Sequence, residues 1–355
     1  MKIQGIDHIE FYVADLSRWS ADLTSAYGFS VSGRSDGPDH ESLLFRQGRA
    51  QLLVTAARSG THPAAQYVRK HGDGAAVIAL RTDDVRAAFC EAVAGGAGPV
   101  ASPAFVGDSD GQVGTAAVSG FGDVTHKLVE RSGPVDDFAP GVVTMAPAAQ
   151  AAEGTLTAID HIAVCLLPGH LDETVRLYQR AFGLCEIFDE RIEVGGQAML
   201  SKVVQDSARE VTYTLIEPDL TREPGQIDDF LAAHEGAGVQ HIALRTADIA
   251  ASVRTLGRRG VEFLSTPPSY YAQLAGRLGQ LSIPATQLQP LNVLADRDRY
   301  GEMYQIFAKS THQRRTFFFE LIERRGALTF GSRNIKALYE ALDTRRATTA
   351  HPPPR

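Results

Sequence analysis

Three pairs of similar phrases divide this 355-residue chain into repeated modules. The repeated phrases are IDHI (6–9 and 159–162), IALRT (78–82 and 242–246), and the related pair HKLVERSG (126–133) and FELIERRG (319–326). Module starts therefore recur at intervals of roughly 70 to 80 residues, which is too long for a solenoid repeat and typical of a small supersecondary unit. A chain made of four repeated modules is expected to fold as structurally similar units.

Each module has the pattern of a strand followed by a helix and then by further strands. In the first module GIDHIEFYV is apolar and rich in β-branched residues, and Asp15 is suited to cap the helix that follows. The fourth module adds a strand predicted at VEFLST. The segment 267–290 that follows is predicted to contain a helix, with an insertion at the mouth of the second barrel as the alternative. The pattern predicts an α+β fold of four β-α-β-β-β modules, paired into two half-open barrel domains.

The second copies of the repeated phrases carry candidate metal ligands. His161 and His241 stand in the first strands of the third and fourth modules, and Glu320 stands in the last strand, FFFELIERR. Alternate side chains of a strand share one face, so three strands of one barrel can aim these side chains into one cavity. Two histidines and one carboxylate form the ligand set of a non-haem Fe(II) centre with open coordination positions.

The first half lacks this set, because its corresponding residues are His8, Val77 and Lys127. Two alternatives to metal binding stay open for the second half. A lone histidine in a strand is more often a hydrogen-bonded core or surface residue than a ligand. Glu320 is a surface residue if its strand faces solvent, whereas a buried carboxylate would cost several kcal/mol unless it met a cation or a metal.

These observations predict how the chain is divided. The expected parts are an N-terminal non-catalytic barrel (1–133), a linker (134–155), a C-terminal iron-binding catalytic barrel that ends in a lid helix (156–344), and a disordered tail (345–355). The linker is assigned because it is rich in proline, alanine and glycine and has no clear periodicity.

Composition excludes several classes of partner. A net charge of −7 argues against nucleic acid or an anionic membrane surface. No apolar stretch reaches the roughly 18 residues of a membrane span, and the first residues lack the apolar core of a signal peptide. The three cysteines are widely spaced, which indicates reduced thiols. These features predict a cytoplasmic protein and leave a homo-oligomer open.

Four motifs together resemble a known family: IDHIAVC, EGAGVQHIAL, YQIFAKSTHQRRTFFFELIER and FGSRNIKALYE. They are similar to those of the α-keto-acid dioxygenases of the vicinal oxygen chelate superfamily, the group that contains 4-hydroxyphenylpyruvate dioxygenase and 4-hydroxymandelate synthase. The resemblance covers nearly the whole chain. It implies Fe(II) as cofactor, His161, His241 and Glu320 as its ligands, and 4-hydroxyphenylpyruvate and O2 as substrates.

Two motifs bear on which reaction is catalysed. Ring-oxidising members of this family usually read PxNEP where this chain reads TLIEP, so Thr214 replaces a proline and Ile216 replaces an asparagine. They usually read FGxGNF where this chain reads FGSRNI, so Ile335 replaces a phenylalanine that packs over the substrate ring. Replacing the asparagine amide and the phenylalanine ring by isoleucine changes how the substrate ring is held and how large the pocket is. The resemblance therefore favours benzylic hydroxylation to 4-hydroxymandelate, and the alternative is an ordinary dioxygenase that forms homogentisate.

The same matching identifies further pocket candidates. The polar candidates are Ser201, Gln226 and Gln305, and the apolar candidates are Phe307 and Phe330. In the family the polar groups help to position the substrate or its phenol. The alternatives are that the polar residues only occupy a strand edge or a helix start, and that the phenylalanines only pack in the core. The amphipathic stretch NIKALYEAL (334–342) is expected to form a lid that excludes water, with a packed C-terminal helix as the alternative.

Two functions of other classes remain to be distinguished. Related double-barrel proteins serve as non-catalytic binders of small molecules, and such a protein would take up no oxygen with any 2-oxo acid. An extradiol ring-cleaving dioxygenase shares the fold and the ligand types, but the FGSRNIKALYE motif argues against it. If 4-hydroxymandelate is the product, the resemblance implies a role in supplying hydroxyphenylglycine for antibiotic biosynthesis.

Overall fold

The computed structural model describes residues 1–107, 111–133, 138–139, 141–146, 154–329, 334 and 336–337. Over these residues the chain forms two curled half-barrel sheets and eight α-helices. The predicted α+β fold of four β-α-β-β-β modules is therefore confirmed. None of the helices in the described ranges combines the length and the apolar run that crossing a bilayer requires. The cytoplasmic location stays a prediction.

The first two modules build a nine-stranded sheet. Its strands are β1 (Ile3–Val13), β2 (Ser30–Asp36), β3 (His40–Gln47), β4 (Ala50–Ala57), β5 (Gly74–Thr82), β6 (Pro99–Gly107), β7 (Gln112–Ser119), β8 (Thr125–Ser132) and β9 (Thr144–Met145). They lie in the order β6-β7-β8-β5-β1-β4-β3-β2-β9. The helices of this half are α1 (Leu16–Ala21), which continues as a π-helical turn, α2 (Pro63–His71) and α3 (Val85–Ala94).

The last two modules build an eight-stranded sheet. Its strands are β10 (Leu156–Cys165), β11 (Cys185–Val194), β12 (Gln197–Gln205), β13 (Thr212–Pro218), β14 (Gly238–Thr246), β15 (Leu294–Arg297), β16 (Glu302–Phe307) and β17 (Phe318–Arg325). They lie in the order β11-β12-β13-β10-β14-β17-β16-β15. The helices are α4 (Leu171–Phe182), α5 (Gln226–His234), α6 (Ile249–Arg258), α7 (Pro268–Leu278) and α8 (Ala285–Leu288).

Local capping explains where several helices begin and end. The Asp15 carboxylate accepts a hydrogen bond from the backbone N–H of Arg18 at 2.9 Å, as its sequence position predicts. Asp248 caps α6 in the same way through Ala251 at 2.8 Å. Helix α4 ends at Gly183, whose φ of 68° is a left-handed conformation that glycine adopts without a Cβ penalty.

The repeat extends to the strand register. The two central strands of each sheet are antiparallel, and His8 faces Ala79 across β1 and β5 as His161 faces Ala243 across β10 and β14. Each second central strand then pairs in parallel with the last strand of its module, β5 with β8 and β14 with β17. The two halves therefore place equivalent residues at equivalent points of their barrels.

One stretch differs from the sequence expectation. The prediction of a strand at VEFLST is wrong, because this segment forms only an isolated β-bridge between Phe263 and Ala308. Pro267 and Pro268 follow at once and cannot donate to a strand ladder, so the chain turns into α7. Within the stretch expected to be a linker, β9 adds to the edge of the first sheet beside β2. The expected tail lies outside the described residues.

One hydrophobic cluster runs through both halves. It includes Phe11 and Ile78 of the first sheet and Ile162, Tyr213 and Leu244 of the second, all at most 1 % exposed. These side chains occupy the sheet faces that pack against helices and against the other half. The opposite, concave face of the second sheet is therefore left for His161, Thr214 and the other candidate site residues, which alternate with core residues along the strands.

Candidate metal centre and substrate pocket

The three predicted ligands meet inside the second half-barrel. His161 lies on β10, His241 on β14 and Glu320 on β17, and they are only 3 %, 6 % and 1 % exposed. One oxygen of Glu320, Oε2, lies 3.3 Å from Nε2 of His161 and 3.3 Å from Nε2 of His241. The register explains this meeting, since Ala243 is paired with His161 on one side and with Glu320 on the other.

Neighbouring side chains orient both imidazoles. Nδ1 of His161 lies 3.0 Å from Asp160 Oδ1, and Nδ1 of His241 lies 3.2 Å from Gln240 Oε1. Because these oxygens accept hydrogen bonds, each Nδ1 carries the proton and each Nε2 presents its lone pair towards Glu320 in the neutral ring. Bonds of this kind hold metal-binding histidines in one tautomer and one orientation.

The second oxygen of Glu320 is also held. Its Oε1 accepts a hydrogen bond from Gln305 Nε2 at 2.8 Å across β16 and β17. Asp160 is anchored in turn by the guanidinium groups of Arg245 and Arg324, at 2.8 Å and 2.9 Å. The candidate ligands are therefore preoriented by buried or half-buried neighbours.

Burial alone disfavours the charged forms of these side chains, but their mutual attraction outweighs it at two of them. Desolvation lowers the pKa of His161, yet Glu320 and Asp160 raise that pKa to about 9. Desolvation raises the pKa of Glu320, and the two imidazoles bring it down to about 2. At His241 desolvation dominates and lowers the pKa. A divalent cation that bound among them would displace the proton shared by His161 and Glu320.

The donor set fits an Fe(II) ion. Two neutral imidazole nitrogens and one carboxylate oxygen converge on a point from three strands, and no thiol is among them. One other cluster of potential ligands occurs in the described ranges, formed by the half-buried Asp39, His40 and His62. Its two imidazole rings stack with their centroids 4.7 Å apart and 25° between their planes, and its three residues are less buried than the His161, His241 and Glu320 set.

The equivalent point of the first half-barrel is built differently. His8 keeps the neighbour of its repeat, with Nδ1 at 2.7 Å from Asp7. Lys127, paired with Ala79 as Glu320 is paired with Ala243, places its ammonium 3.4 Å from Glu10. A lysine ammonium in this position supplies a positive charge where the other half offers a carboxylate, so this point does not offer a metal ligand set.

Sequence and structure comparisons agree with this architecture. Residues 1–139 match the family described as hydroxyphenylpyruvate dioxygenase, HPPD, N-terminal, and residues 160–277 match the glyoxalase/bleomycin resistance protein/dioxygenase superfamily. A 4-hydroxyphenylpyruvate dioxygenase of Yarrowia lipolytica is 31 % identical over 97 % of this chain and 92 % of that protein. One of Dictyostelium discoideum is 30 % identical over 98 % of this chain and 99 % of that protein.

A solved structure is more similar still in sequence. A triple mutant of 4-hydroxymandelate synthase from Streptomyces coelicolor is 42 % identical, with a TM-score of 0.89 over 98 % of this chain and 100 % of that chain. The chain belongs to the 4-hydroxyphenylpyruvate dioxygenase and 4-hydroxymandelate synthase family. Its members are non-haem iron dioxygenases of the vicinal oxygen chelate superfamily.

Thr214 and Ile216 lie on the strand next to that of His161, on the same face of the sheet. Ser201 lies on the following strand of the sheet, also on that face. Ser201 on β12 and Thr214 on β13 are buried, and neither hydroxyl oxygen has a hydrogen-bond partner in the described part of the chain. Ile216, opposite Ser201 in the register, belongs to an apolar cluster with Cys165 and Phe230. This wall is therefore apolar beside two hydroxyls that are available to a ligand.

Aromatic rings border the triad on the other side. Phe318 stacks on His241 with ring centroids 5.0 Å apart, and Phe307 lies 5.9 Å from the same ring. Gln226 begins α5 and lines a cavity of about 810 Å³ together with Phe318 and Gln240. Phe330, Ile335 and most of the expected lid helix lie outside the described residues.

Sequence reasoning missed several neighbours of the triad. Asp160 and Gln240 each directly precede a candidate ligand, and the repeated Asp-His of IDHI was a signal for the first of them. Phe318 stands two residues before Glu320 and so shares its face of β17. Asn334, which donates to Gln305 at 2.8 Å, had no such signal because the contact joins distant parts of the chain.

Proposed function

We propose that this protein is an Fe(II)-dependent oxygenase that converts 4-hydroxyphenylpyruvate and O2 into 4-hydroxymandelate and CO2. One observation carries the choice of reaction: Ile216 is 2 % exposed in an apolar cluster, at a position where ring-oxidising relatives usually have asparagine. The similarity to the solved 4-hydroxymandelate synthase supports the same choice.

His161, His241 and Glu320 would hold the iron. When bound, Fe(II) supplies the coordination positions and redox chemistry with which a 2-oxo acid and dioxygen react. The protein's own contribution is orientation: Asp160 and Gln240 keep the imidazoles aimed at one point. Such supporting bonds typically change metal affinity or activity by about 10- to 100-fold when they are removed.

The pocket walls would fix the substrate. A buried hydroxyl without a partner costs about 1–3 kcal/mol, so the Ser201 and Thr214 hydroxyls are suited to accept or donate a bond to a polar substrate group. Phe307 offers an apolar wall on the His241 side. We propose that Gln226 borders the entry cavity.

Ile216 would decide where the substrate is oxidised. An asparagine amide can hold a polar group of the substrate in one orientation, whereas an isoleucine side chain offers only an apolar contact. Shifts of about an ångström are enough to change which atom lies in reacting position. The apolar wall therefore favours a pose in which the benzylic carbon, and not the ring, is oxidised.

The second candidate is the dioxygenase reaction that yields homogentisate. The full-length relatives named 4-hydroxyphenylpyruvate dioxygenase, at 30–31 % identity, favour it. Both candidates use the same substrates and the same proposed ligands, so only the product distinguishes them. If 4-hydroxymandelate is formed, a role in supplying hydroxyphenylglycine to antibiotic biosynthesis follows as part of the proposal.

Product analysis tests the proposal. The purified protein is reconstituted with Fe(II) and mixed with 4-hydroxyphenylpyruvate in air, and the products are separated by chromatography. We expect 4-hydroxymandelate as the dominant product with matching oxygen consumption. Dominant homogentisate would replace the proposal with the dioxygenase reaction, and no oxygen consumption with any 2-oxo acid would favour a non-catalytic binder.

A further inference from the structure

A line of polar side chains connects Glu320 to helix α7. Gln305 Nε2 donates to Glu320 Oε1 at 2.8 Å, and Asn334 Nδ2 donates to Gln305 Oε1 at 2.8 Å. The Tyr270 hydroxyl then lies 2.8 Å from Asn334 Oδ1. Gln305 and Asn334 are 2 % and 0 % exposed, so these bonds are shielded from competing water.

The direction of every bond in this line is determined by the carboxylate. An ionised carboxylate only accepts hydrogen bonds, so Gln305 must present its NH2 group to Glu320 and its carbonyl oxygen to Asn334. Asn334 must then present its own NH2 group to Gln305 and its oxygen to Tyr270. The line is complete only if a donor meets that oxygen, and the Tyr270 hydroxyl proton is suited to do so.

The far end of the line is anchored to the edge of the sheet. The backbone N–H of Ala295 donates to the Tyr270 oxygen at 2.9 Å, and this residue lies on the edge strand β15. The hydroxyl therefore accepts a bond from the backbone, and its one proton is within reach of two acceptors, Asn334 Oδ1 at 2.8 Å and the Ala295 carbonyl oxygen at 2.9 Å. Desolvation raises the pKa of Tyr270 to about 12, so the proton is present throughout the physiological range.

We propose that Tyr270 is a positioning residue for the metal centre, acting through Asn334 and Gln305 on the Glu320 carboxylate. It fixes Asn334 in the orientation that Gln305 requires, and Gln305 occupies one carboxylate oxygen so that the other faces the two imidazoles. The same line ties residue 334 to α7. The inference rests on the proposed role of Glu320 as a metal ligand.

The test measures metal binding without substrate. Tyr270→Phe keeps the ring and removes only the hydroxyl, and Tyr271→Phe removes a hydroxyl from the adjacent tyrosine, which is outside the line. Binding of Co(II), a spectroscopic substitute for Fe(II), is titrated by its visible absorption. We expect affinity to fall about tenfold in Tyr270→Phe, within the range typical for supporting bonds, and to be unchanged in Tyr271→Phe.

A double-variant cycle separates positioning from general stability. Asn334→Ala breaks the same line, so we expect it to weaken Co(II) binding as Tyr270→Phe does, and the double variant to be no weaker than either single variant. If Tyr270→Phe bound Co(II) with wild-type affinity, or if the losses in affinity added in the double variant, only the positioning role of Tyr270 would be overturned. Absence of Co(II) binding in the wild type would overturn both the proposed metal site and that positioning role.

Discussion

A single residue position separates the two half-barrels most sharply. Lys127 and Glu320 occupy the same place in the register, each paired with an alanine of the central strand. The lysine meets the Glu10 carboxylate of its own barrel, whereas Glu320 meets two imidazoles. Lys127 thus places a positive charge in the first half-barrel, whereas Glu320 places a negative charge, which attracts a cation, in the second.

Replacing Glu320 by glutamine should abolish metal binding and turnover. The amide keeps the size of the side chain but removes the negative charge, so the loss in affinity should exceed the roughly 10- to 100-fold effect of supporting residues. Metal content and oxygen uptake are the measurements. Glu323→Gln on the same strand is the control for removing a buried carboxylate, because the Glu323 carboxylate accepts a hydrogen bond from the Ile249 N–H at the start of α6 and is not among the three candidate ligands. Full turnover by Glu320→Gln would exclude Glu320 from the centre.

Replacing Ile216 by asparagine should change the product ratio. An amide buried in the cluster of Ile216 would cost about 1–3 kcal/mol of stability if it were unpaired, but the Ser201 hydroxyl directly across the register is available to pair with it. We expect homogentisate to rise relative to 4-hydroxymandelate by chromatography. Ile192→Asn, in the same cluster on β11, should lower stability without that shift. Equal product ratios in both variants would argue against the role of Ile216.

At the scale of elements, packing of α4 against β8 joins the two halves of the chain. His126 of β8 is fully buried and its Nε2 lies 2.6 Å from the hydroxyl of Tyr178 on α4. Burial lowers the pKa of this imidazole to about 4. The neutral ring is therefore the form that the folded protein favours, and an unfolded chain with a histidine pKa near 6.5 takes up the proton first.

Stability should consequently fall as the pH falls from about 6.5 towards 4. The unfolded state binds more protons in this window, so His126 contributes a loss of about 2 kcal/mol at pH 5 relative to neutral pH. Urea unfolding at pH 7 and pH 5 measures it. His126→Phe should lose this part of the pH dependence, whereas Tyr178→Phe, which removes the same hydrogen bond, should keep it. Parallel pH dependence in the wild type and His126→Phe would contradict the assignment.

Sequence periodicity predicted the elements where a local pattern was sufficient. The strand-helix order of each module and the cap at Asp15 required only neighbours in sequence. The strand expected at VEFLST failed because a strand also needs a partner, and the following prolines withdraw donors from the ladder. Two-residue β9 was beyond prediction, since its pairing with β2 depends on a contact across more than a hundred residues.

At the scale of the whole molecule, the halves share one core. Phe317, just before β17, is 1 % exposed and contacts Phe11 of β1 with ring centroids 5.1 Å apart. Trp19 of α1, the single tryptophan of the chain, stacks on His312 at 4.6 Å. The first half therefore packs against the chain just before the strand that carries Glu320.

Truncating Phe317 should destabilise both halves together. Removing a buried aromatic ring typically costs about 3–5 kcal/mol, and here the ring belongs to both halves. Trp19 fluorescence reports the first half and its contact with the second, while far-UV circular dichroism reports the whole chain. In Phe317→Ala we expect both urea transitions to move together to lower concentration. Separate transitions for the two signals would indicate halves that unfold independently.

The candidate site was predictable to the extent that the duplication exposed it. His161, His241 and Glu320 stood out because the first half has different residues, Val77 and Lys127, at the positions equivalent to His241 and Glu320. The supporting line through Gln305, Asn334 and Tyr270 could not be found this way, because the insertion carrying α7 has no counterpart in the first half.

The most direct test of the central claim compares the two histidines of the repeated IDHI phrase. Co(II) is titrated into the metal-free wild type and into the His161→Ala and His8→Ala variants, after circular dichroism has verified that each is folded. We predict one bound ion per chain in the wild type and in His8→Ala, and none in His161→Ala. Binding that survives in His161→Ala but is lost in His8→Ala would contradict the assignment of the metal centre to the second half-barrel.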